Sequence, residues 1–379
     1  MNPVVSFVVP CYRLAHLLSE CVNSILTQTY ENFEVLIMDD CSPDDTPQVA
    51  RSFTDPRIRY IRNEPNLGHL RNYNKGIELS RGKYVWLISA DDRLRRPHVL
   101  GRYVKILENH PRVGYVFCPG VALFENKEVR VVNAHGSSDW IMNGRTFLKQ
   151  LLHSNSIVAA SGMARRQCYE KVAYFPLDMP WGGDWYLWCA YALHYDVAYV
   201  AEPLVNYRTH ELSLTTFYTT KEPSVCTKDD MLLYWRIKKL AENARARAAA
   251  TQCRHMIGYH FARNVLAGSP KSPVPQTTLS DSEDCIRKMA SDERDVALIL
   301  ARLHSCLGDK HFWNGEFEAA LLCYRKALDC DPLLVGVWAK RLLLPFGGIG
   351  LRSRRIIDDF RHRKQRDPLV GQRAMGLEE

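Results

Sequence analysis

Three short apolar runs in the first quarter of the chain each break directly into a polar cluster, and few folds accommodate that arrangement. Val4-Val5-Ser6-Phe7-Val8-Val9 ends in Pro10-Cys11-Tyr12, and Phe33-Glu34-Val35-Leu36-Ile37-Met38 ends in Asp39-Asp40. Tyr84-Val85-Trp86-Leu87-Ile88-Ser89 ends in Ala90-Asp91-Asp92. Short β-branched runs alternating with helical segments predict a mostly parallel α/β sheet sandwiched by helices. Ligands of such sheets bind beyond the carboxyl ends of the strands, so acids gathered there point to chemistry.

At 379 residues, with 46% hydrophobic and 24% charged side chains, the chain has room for two globular domains. No apolar run reaches the roughly 18 residues of a membrane span. The first strand starts almost at Met1, leaving no room for a signal peptide, so a cytoplasmic protein is expected. The 12 cysteines form no Cys-x-x-Cys pair and read as reduced, buried thiols rather than disulfides or a zinc site. A net charge of +8 suits a phosphate-bearing substrate or an anionic membrane surface, and solvated basic faces explain it equally well.

The α/β pattern occupies residues 1–220, and 225–379 read as an all-α region. The first helix spans Leu14 to Gln28, a short strand runs from Ile58 to Ile61, and Pro97 opens a further helix. Gly268-Ser269-Pro270-Lys271-Ser272-Pro273-Val274-Pro275 is a linker that divides the later helices. Beyond it, Gly308, Asn314-Gly315, Ala320, Tyr324, Ala327 and Pro332 resemble a tetratricopeptide-type helical hairpin near 292–332. An ordinary helix pair stays open there. A lone unit of that kind must stack on neighbouring helices, which could serve a protein partner or self-association. The tail turns from apolar Leu342-Leu343-Leu344 to basic Arg352, Arg354 and Arg355, a pattern compatible with peripheral contact at an inner membrane face or with a solvated terminus.

Among candidate functional residues, Asp91-Asp92 in a turn after a buried strand suits a hard divalent cation, Mn²⁺ or Mg²⁺, whose other ligands come from a substrate phosphate. An acidic helix start would look the same. Asp184 in Gly183-Asp184-Trp185 fits a general base and equally a helix N-cap. Trp181 fits a sugar contact or core packing, and His210 a metal ligand or a surface histidine.

Taken together, these segments resemble family 2 glycosyltransferases. The resemblance rests on Val5 to Tyr12, Ser24 to Tyr30, Phe33 to Ser42, Asn66-Leu67-Gly68 with Arg71-Asn72, Gly82-Lys83-Tyr84, Ser89-Ala90-Asp91-Asp92 and Tyr207-Arg208-Thr209-His210. It covers roughly residues 4–215 and implies the GT-A fold, a nucleotide-diphosphate sugar donor such as a UDP-sugar, and a divalent metal. By that resemblance Pro10, Tyr12, Asp39, Asp40, Arg71 and Asp92 line the nucleotide pocket. Asp91 and His210 hold the metal, Asp184 is the base, and Trp181 meets the sugar or acceptor. An inverting transfer to a glycan, lipid-linked or protein hydroxyl is the expected reaction. The alternative is a degenerate transferase domain serving as an adaptor or glycan-binding protein.

Three positions depart from the family pattern: Arg13 replaces Asn, Ser89 replaces the first acid of Asp-x-Asp, and Gly183 replaces the Glu of Glu-Asp. None removes the expected base. No Gly-x-Gly-x-x-Gly follows a strand, which excludes a Rossmann dehydrogenase, and Pro10 to His16 is not the Gly-rich phosphate loop of a nucleotidyltransferase. Nothing in the sequence points to nucleic acid.

Overall fold

A computed structural model describes residues 2–124, 127–211, 213–266 and 277–344. The expected linker, from Gly268 to Pro275, and the basic tail lie outside these residues. The chain divides into two compact units, 1–229 and 230–379.

The first unit opens with β1 (Val5–Cys11), α1 (Ala15–Leu26), β2 (Phe33–Asp39), α2 (Thr46–Ser52), β3 (Ile58–Arg62), α3 (His69–Leu79), β4 (Tyr84–Leu87), β5 (Arg93–Leu94) and α4 (Val99–Asn109). It continues with β6 (Val113–Phe117), β7 (Gly120–Phe124), β8 (Lys127–Val132), β9 (Trp140–Met142), α5 (Gly144–Leu151), β10 (Met163–Arg165), α6 (Arg166–Val172) and α7 (Gly183–Ala192). Strands β11 (Asp196–Tyr199) and β12 (Val205–Arg208), then α8 (Leu214–Thr220), complete its series. Helix α9 (Pro223–Asn243) starts in the first unit.

Eight strands form one sheet in the order β3-β2-β1-β4-β10-β6-β11-β9. The ladders β1–β2, β1–β4, β2–β3 and β6–β11 are parallel; those of β10 with β4 and β6, and β9 with β11, are antiparallel. The sheet is therefore mixed, with a wholly parallel half that carries the three apolar runs. Every residue of β1 and β2 is buried, which is why they read as unbroken apolar stretches. Four further strands, β5-β12-β7-β8, make a second sheet that no pattern in the sequence announced.

The core is centred on Trp86, which stacks on Phe7 at 5.4 Å and on Tyr103 at 4.8 Å and donates from Nε1 to the Ala160 carbonyl at 2.8 Å. At the amino end of the sheet, a Cβ on Gly82 would lie 2.6 Å from the Ser6 nitrogen. Only glycine lets the chain enter β4 so close to β1. Helix α4 begins at Val99 rather than at Pro97, because the Pro97 carbonyl is held outside it by the Thr29 N–H at 2.8 Å.

The second unit contains the rest of α9 and α10 (Arg247–Leu266), α11 (Leu279–Met289), α12 (Glu293–Trp313), α13 (Phe317–Cys330) and α14 (Val335–Leu343). Helices α12 and α13 pack together across a turn at Gly315, whose φ of 82° suits glycine. The small residues Gly308, Ala320 and Ala327 let them close on Tyr324, whose hydroxyl donates to Asp309 at 2.8 Å. Among the described residues no helix is long and apolar enough to cross a membrane.

Candidate active site

The loops at the carboxyl ends of β1 and β2 form one side of the site. Tyr12 is 43% exposed, with the Arg13 guanidinium 5.2 Å from its ring centre, whereas Pro10 is buried within β1. Arg13 and Cys41 close these two strands with φ near +60°, a left-handed conformation few side chains adopt. Asp39 and Asp40 are buried and fully engaged within the protein. Asp39 accepts from the Ser42 N–H at 2.8 Å, the Tyr60 hydroxyl at 2.7 Å and the Arg62 guanidinium at 2.6 Å. Asp40 accepts from the Leu67 and Gly68 N–H groups at 2.8 and 2.9 Å and from Asn63 Nδ2 at 2.9 Å. Asn63 also donates to Asn72, which donates in turn to the Met38 carbonyl. Asn66-Leu67-Gly68 is thus the loop that Asp40 pins at the start of α3, and Arg71 stands exposed on that helix.

The turn after β4 supplies the second group. Asp91 Oδ2 lies 2.9 Å from His210 Nε2, while Asp91 Oδ1 is buried without a protein partner. Asp92 accepts from the Arg208 N–H at 2.9 Å, and the Arg208 guanidinium donates to the Asp91 carbonyl and to Glu20. Burial, with repulsion from Asp91 added, holds the Asp92 carboxyl well above the usual carboxylate range. Strand β12 therefore brings Arg208 and His210 onto the acidic turn from a distant part of the chain.

Asp184 forms the third group. It is the second residue of α7, in the first turn, and Gly182 occupies the N-cap. Its carboxylate accepts from the Trp185 N–H at 2.6 Å, and Asn155 Nδ2 lies 3.3 Å from both its oxygens. Burial outweighs these donors and pushes the carboxyl from 3.8 up to about 6. The preceding turn is held from two sides: His69 Nε2 meets the Pro180 carbonyl at 3.0 Å, and Asp229 accepts from the Trp181 and Gly182 N–H groups. Trp181 is partly exposed, with Tyr218 as its edge-on neighbour at 6.2 Å.

Tyr73 and Tyr207 tie the groups together. Burial raises both hydroxyls, Tyr207 to about 12, and the charges of Asp91, Asp92 and Asp184 all add to the rise at each. The three carboxylates therefore lie within electrostatic reach of the same two hydroxyls.

Several residues here carried no signal in the sequence. Asn155, Tyr73 and His69 belong to no motif, and Glu20 matters only because Arg208 folds back onto it.

Residues 6–172 match the family model described as Glycosyl transferase family 2. An uncharacterized protein of Mycobacterium tuberculosis is 37% identical over 31% of this chain, a match that spans only 36% of that protein's length. An uncharacterized glycosyltransferase of Haemophilus influenzae is 25% identical over 60% of this chain and 72% of its own. A crystal structure of S. aureus TarS in complex with UDP-GlcNAc superimposes with a TM-score of 0.60 at 16% identity, covering 87% of this chain and 89% of that one, which shows a shared fold. Over residues 6–172 the N-terminal unit thus matches the family 2 glycosyltransferase model, on a GT-A fold shared with TarS.

Proposed function

We propose that the protein transfers a sugar from a nucleotide-diphosphate donor to a hydroxyl acceptor in glycan biosynthesis, with inversion at the anomeric carbon. One observation carries the reading: the half-buried carboxylate of Asp184 lies, with Asp91 and Asp92, within electrostatic reach of the same two tyrosine hydroxyls, those of Tyr73 and Tyr207. With its pKa near 6, Asp184 is ionised at neutral pH and still basic enough to accept a proton. The acceptor hydroxyl gives its proton to Asp184 as its oxygen bonds to the anomeric carbon. The nucleotide diphosphate departs from the opposite face with the bonding electron pair. Asn155 keeps the carboxylate aimed.

On the nucleotide side, Tyr12 and Arg71 are free to meet base and phosphate, whereas Asp39 and Asp40 act by fixing the pocket wall. Pro10 and Asp92 complete that wall. A UDP-sugar donor is supported by the likeness to TarS, which binds UDP-GlcNAc. Trp181 offers an aromatic face to the sugar or acceptor.

The residues fit a divalent cation. Asp91 Oδ1 is buried and unpartnered, and His210 stands beside the other oxygen. Among the described residues no three His, Cys, Asp or Glu side chains are grouped to hold a metal. A pair of protein donors completed by diphosphate oxygens and water suits Mn²⁺ or Mg²⁺. Such a cation, when bound, neutralises charge developing on the leaving diphosphate.

The test is a panel of nucleotide-sugars assayed with and without Mn²⁺ across pH. Turnover should rise as pH passes about 6 and Asp184 ionises. The product should have the opposite anomeric configuration to the donor. A retained configuration rejects the single displacement, and no turnover or binding of any nucleotide-sugar rejects the enzyme.

A further inference from the structure

Asp229, the last residue of the first unit, is completely buried, yet it belongs to no motif and contacts none of the groups assigned a chemical role above except through backbone. One carboxylate oxygen accepts from the Trp181 N–H at 2.7 Å and the Gly182 N–H at 2.9 Å. The other oxygen is buried with no partner. Sequestering a carboxylate with half its acceptor capacity unmet costs stability, and burial raises its pKa accordingly.

What the carboxylate holds is specific. Gly182 is the N-cap of α7, and Asp229 on α9 accepts from its N–H, the donor that the third helical residue would take in a capping box. The approach is close: a Cβ on Gly182 would lie 3.3 Å from the Asp229 Cβ. Two residues after Gly182 comes Asp184, and two residues before it the Pro180 carbonyl is held by His69. The turn that launches the base is therefore clamped at three consecutive residues, and two of the three bonds go to Asp229.

We propose that Asp229 is a positioning residue, fixing the Trp181-Gly182 turn and through it the placement and seclusion of the Asp184 carboxylate. This rests on the assignment of Asp184 as base. In this view Asp229 touches neither donor nor acceptor. Its loss lets the first turn of α7 shift, so that more water reaches the half-buried Asp184 and the acceptor hydroxyl loses its partner. Tyr73 on α3 and Tyr207 on β12 feel the charge of Asp184 together with those of Asp91 and Asp92 after β4, and none of these four bonds to Asp229.

The experiment compares full-length wild type with Asp229→Ala, Asp229→Asn and Asp229→Glu. The Asp184 pKa is read by carboxyl-carbon NMR, assigned by difference from Asp184→Asn, and turnover and UDP affinity are measured alongside. In Asp229→Ala the Asp184 pKa should fall by at least one pH unit from about 6. Turnover should drop at least tenfold, with UDP affinity within twofold of wild type. Asp229→Asn, whose amide oxygen accepts the same two N–H groups, should restore both values. Asp229→Glu keeps the charge but moves the acceptor by one methylene; it should lower the Asp184 pKa too and carries the test if the alanine variant does not fold. An unmoved Asp184 pKa in the folded Ala or Glu variant overturns the proposal, as does a parallel loss of UDP affinity. Wild type that turns over no nucleotide-sugar, yet shows the pKa shift, would defeat the proposed reaction while leaving the positioning role intact.

Discussion

Replacing Asp184 by Asn should abolish sugar transfer and at the same time stabilise the protein at neutral pH. Folding raises the carboxyl from 3.8 to about 6, so the native state disfavours the charge that the reaction uses. At about 1.4 kcal/mol per pH unit, the gap corresponds to an upper bound of about 3 kcal/mol. The sign follows from protonation. Below about pH 4 the carboxyl is neutral in both folded and unfolded chains, and no difference arises. Above about pH 6 it is ionised in both, and the native state alone carries the desolvation cost. An asparagine removes that cost and can still accept from the Trp185 N–H, although its amide meets Asn155 less well. Urea unfolding of both proteins at pH 8 should favour Asp184→Asn by about 1–3 kcal/mol, and the advantage should vanish near about pH 3. Turnover should fall by about 10²–10⁴, the usual contribution of a positioned general base. A variant that is less stable at pH 8, or equally changed at both pH values, would refute the claim that Asp184 is a strained, desolvated base.

Other outcomes follow from neighbouring features. Asp40→Asn leaves one of three donors facing an amide instead of an oxygen, which should lower stability by about 1–3 kcal/mol and weaken UDP binding as the Asn66-Leu67-Gly68 loop loosens. Weaker UDP binding with unchanged denaturation would instead place the carboxylate against the base itself. Asp91→Asn should erase the extra thermal stabilisation that Mn²⁺ gives the UDP complex, measured by differential scanning fluorimetry; an unchanged Mn²⁺ effect would move the cation elsewhere. Gly308→Ala puts a methyl 2.6 Å from the Tyr324 ring and should cost about 1–3 kcal/mol in urea unfolding, and a neutral result would mean that α12 and α13 can separate freely.

Parts of this molecule are written plainly in its sequence. Strands β1, β2 and β4 are legible because strands covered on both faces are apolar nearly throughout. Asp91, His210 and Asp184 stand out for the same reason: chemistry-bearing side chains beside buried elements. The second sheet is illegible because β5 is two residues long and its partner β12 lies more than a hundred residues away. Asp40 was readable as a site acid, but not its bonds to the loop at Leu67 and Gly68, since a carboxylate does not announce its donors. Asp229 was invisible because its partners are 47 and 48 residues distant and its setting in α9 looks like any other helical aspartate.

The tight seam at Gly82 reaches further than its position suggests. It sits at the amino end of the sheet, remote from every acid considered above, but β1 and β4 are paired from Val5 and Tyr84 onward. Those two strands deliver Tyr12 on one side and Asp91 on the other. The spacing between the two banks of the proposed donor site, at Tyr12 and at Asp91, is thus gauged at the opposite edge of the domain. A side chain at that seam would act as a wedge, spoiling the alignment of the two banks without touching either.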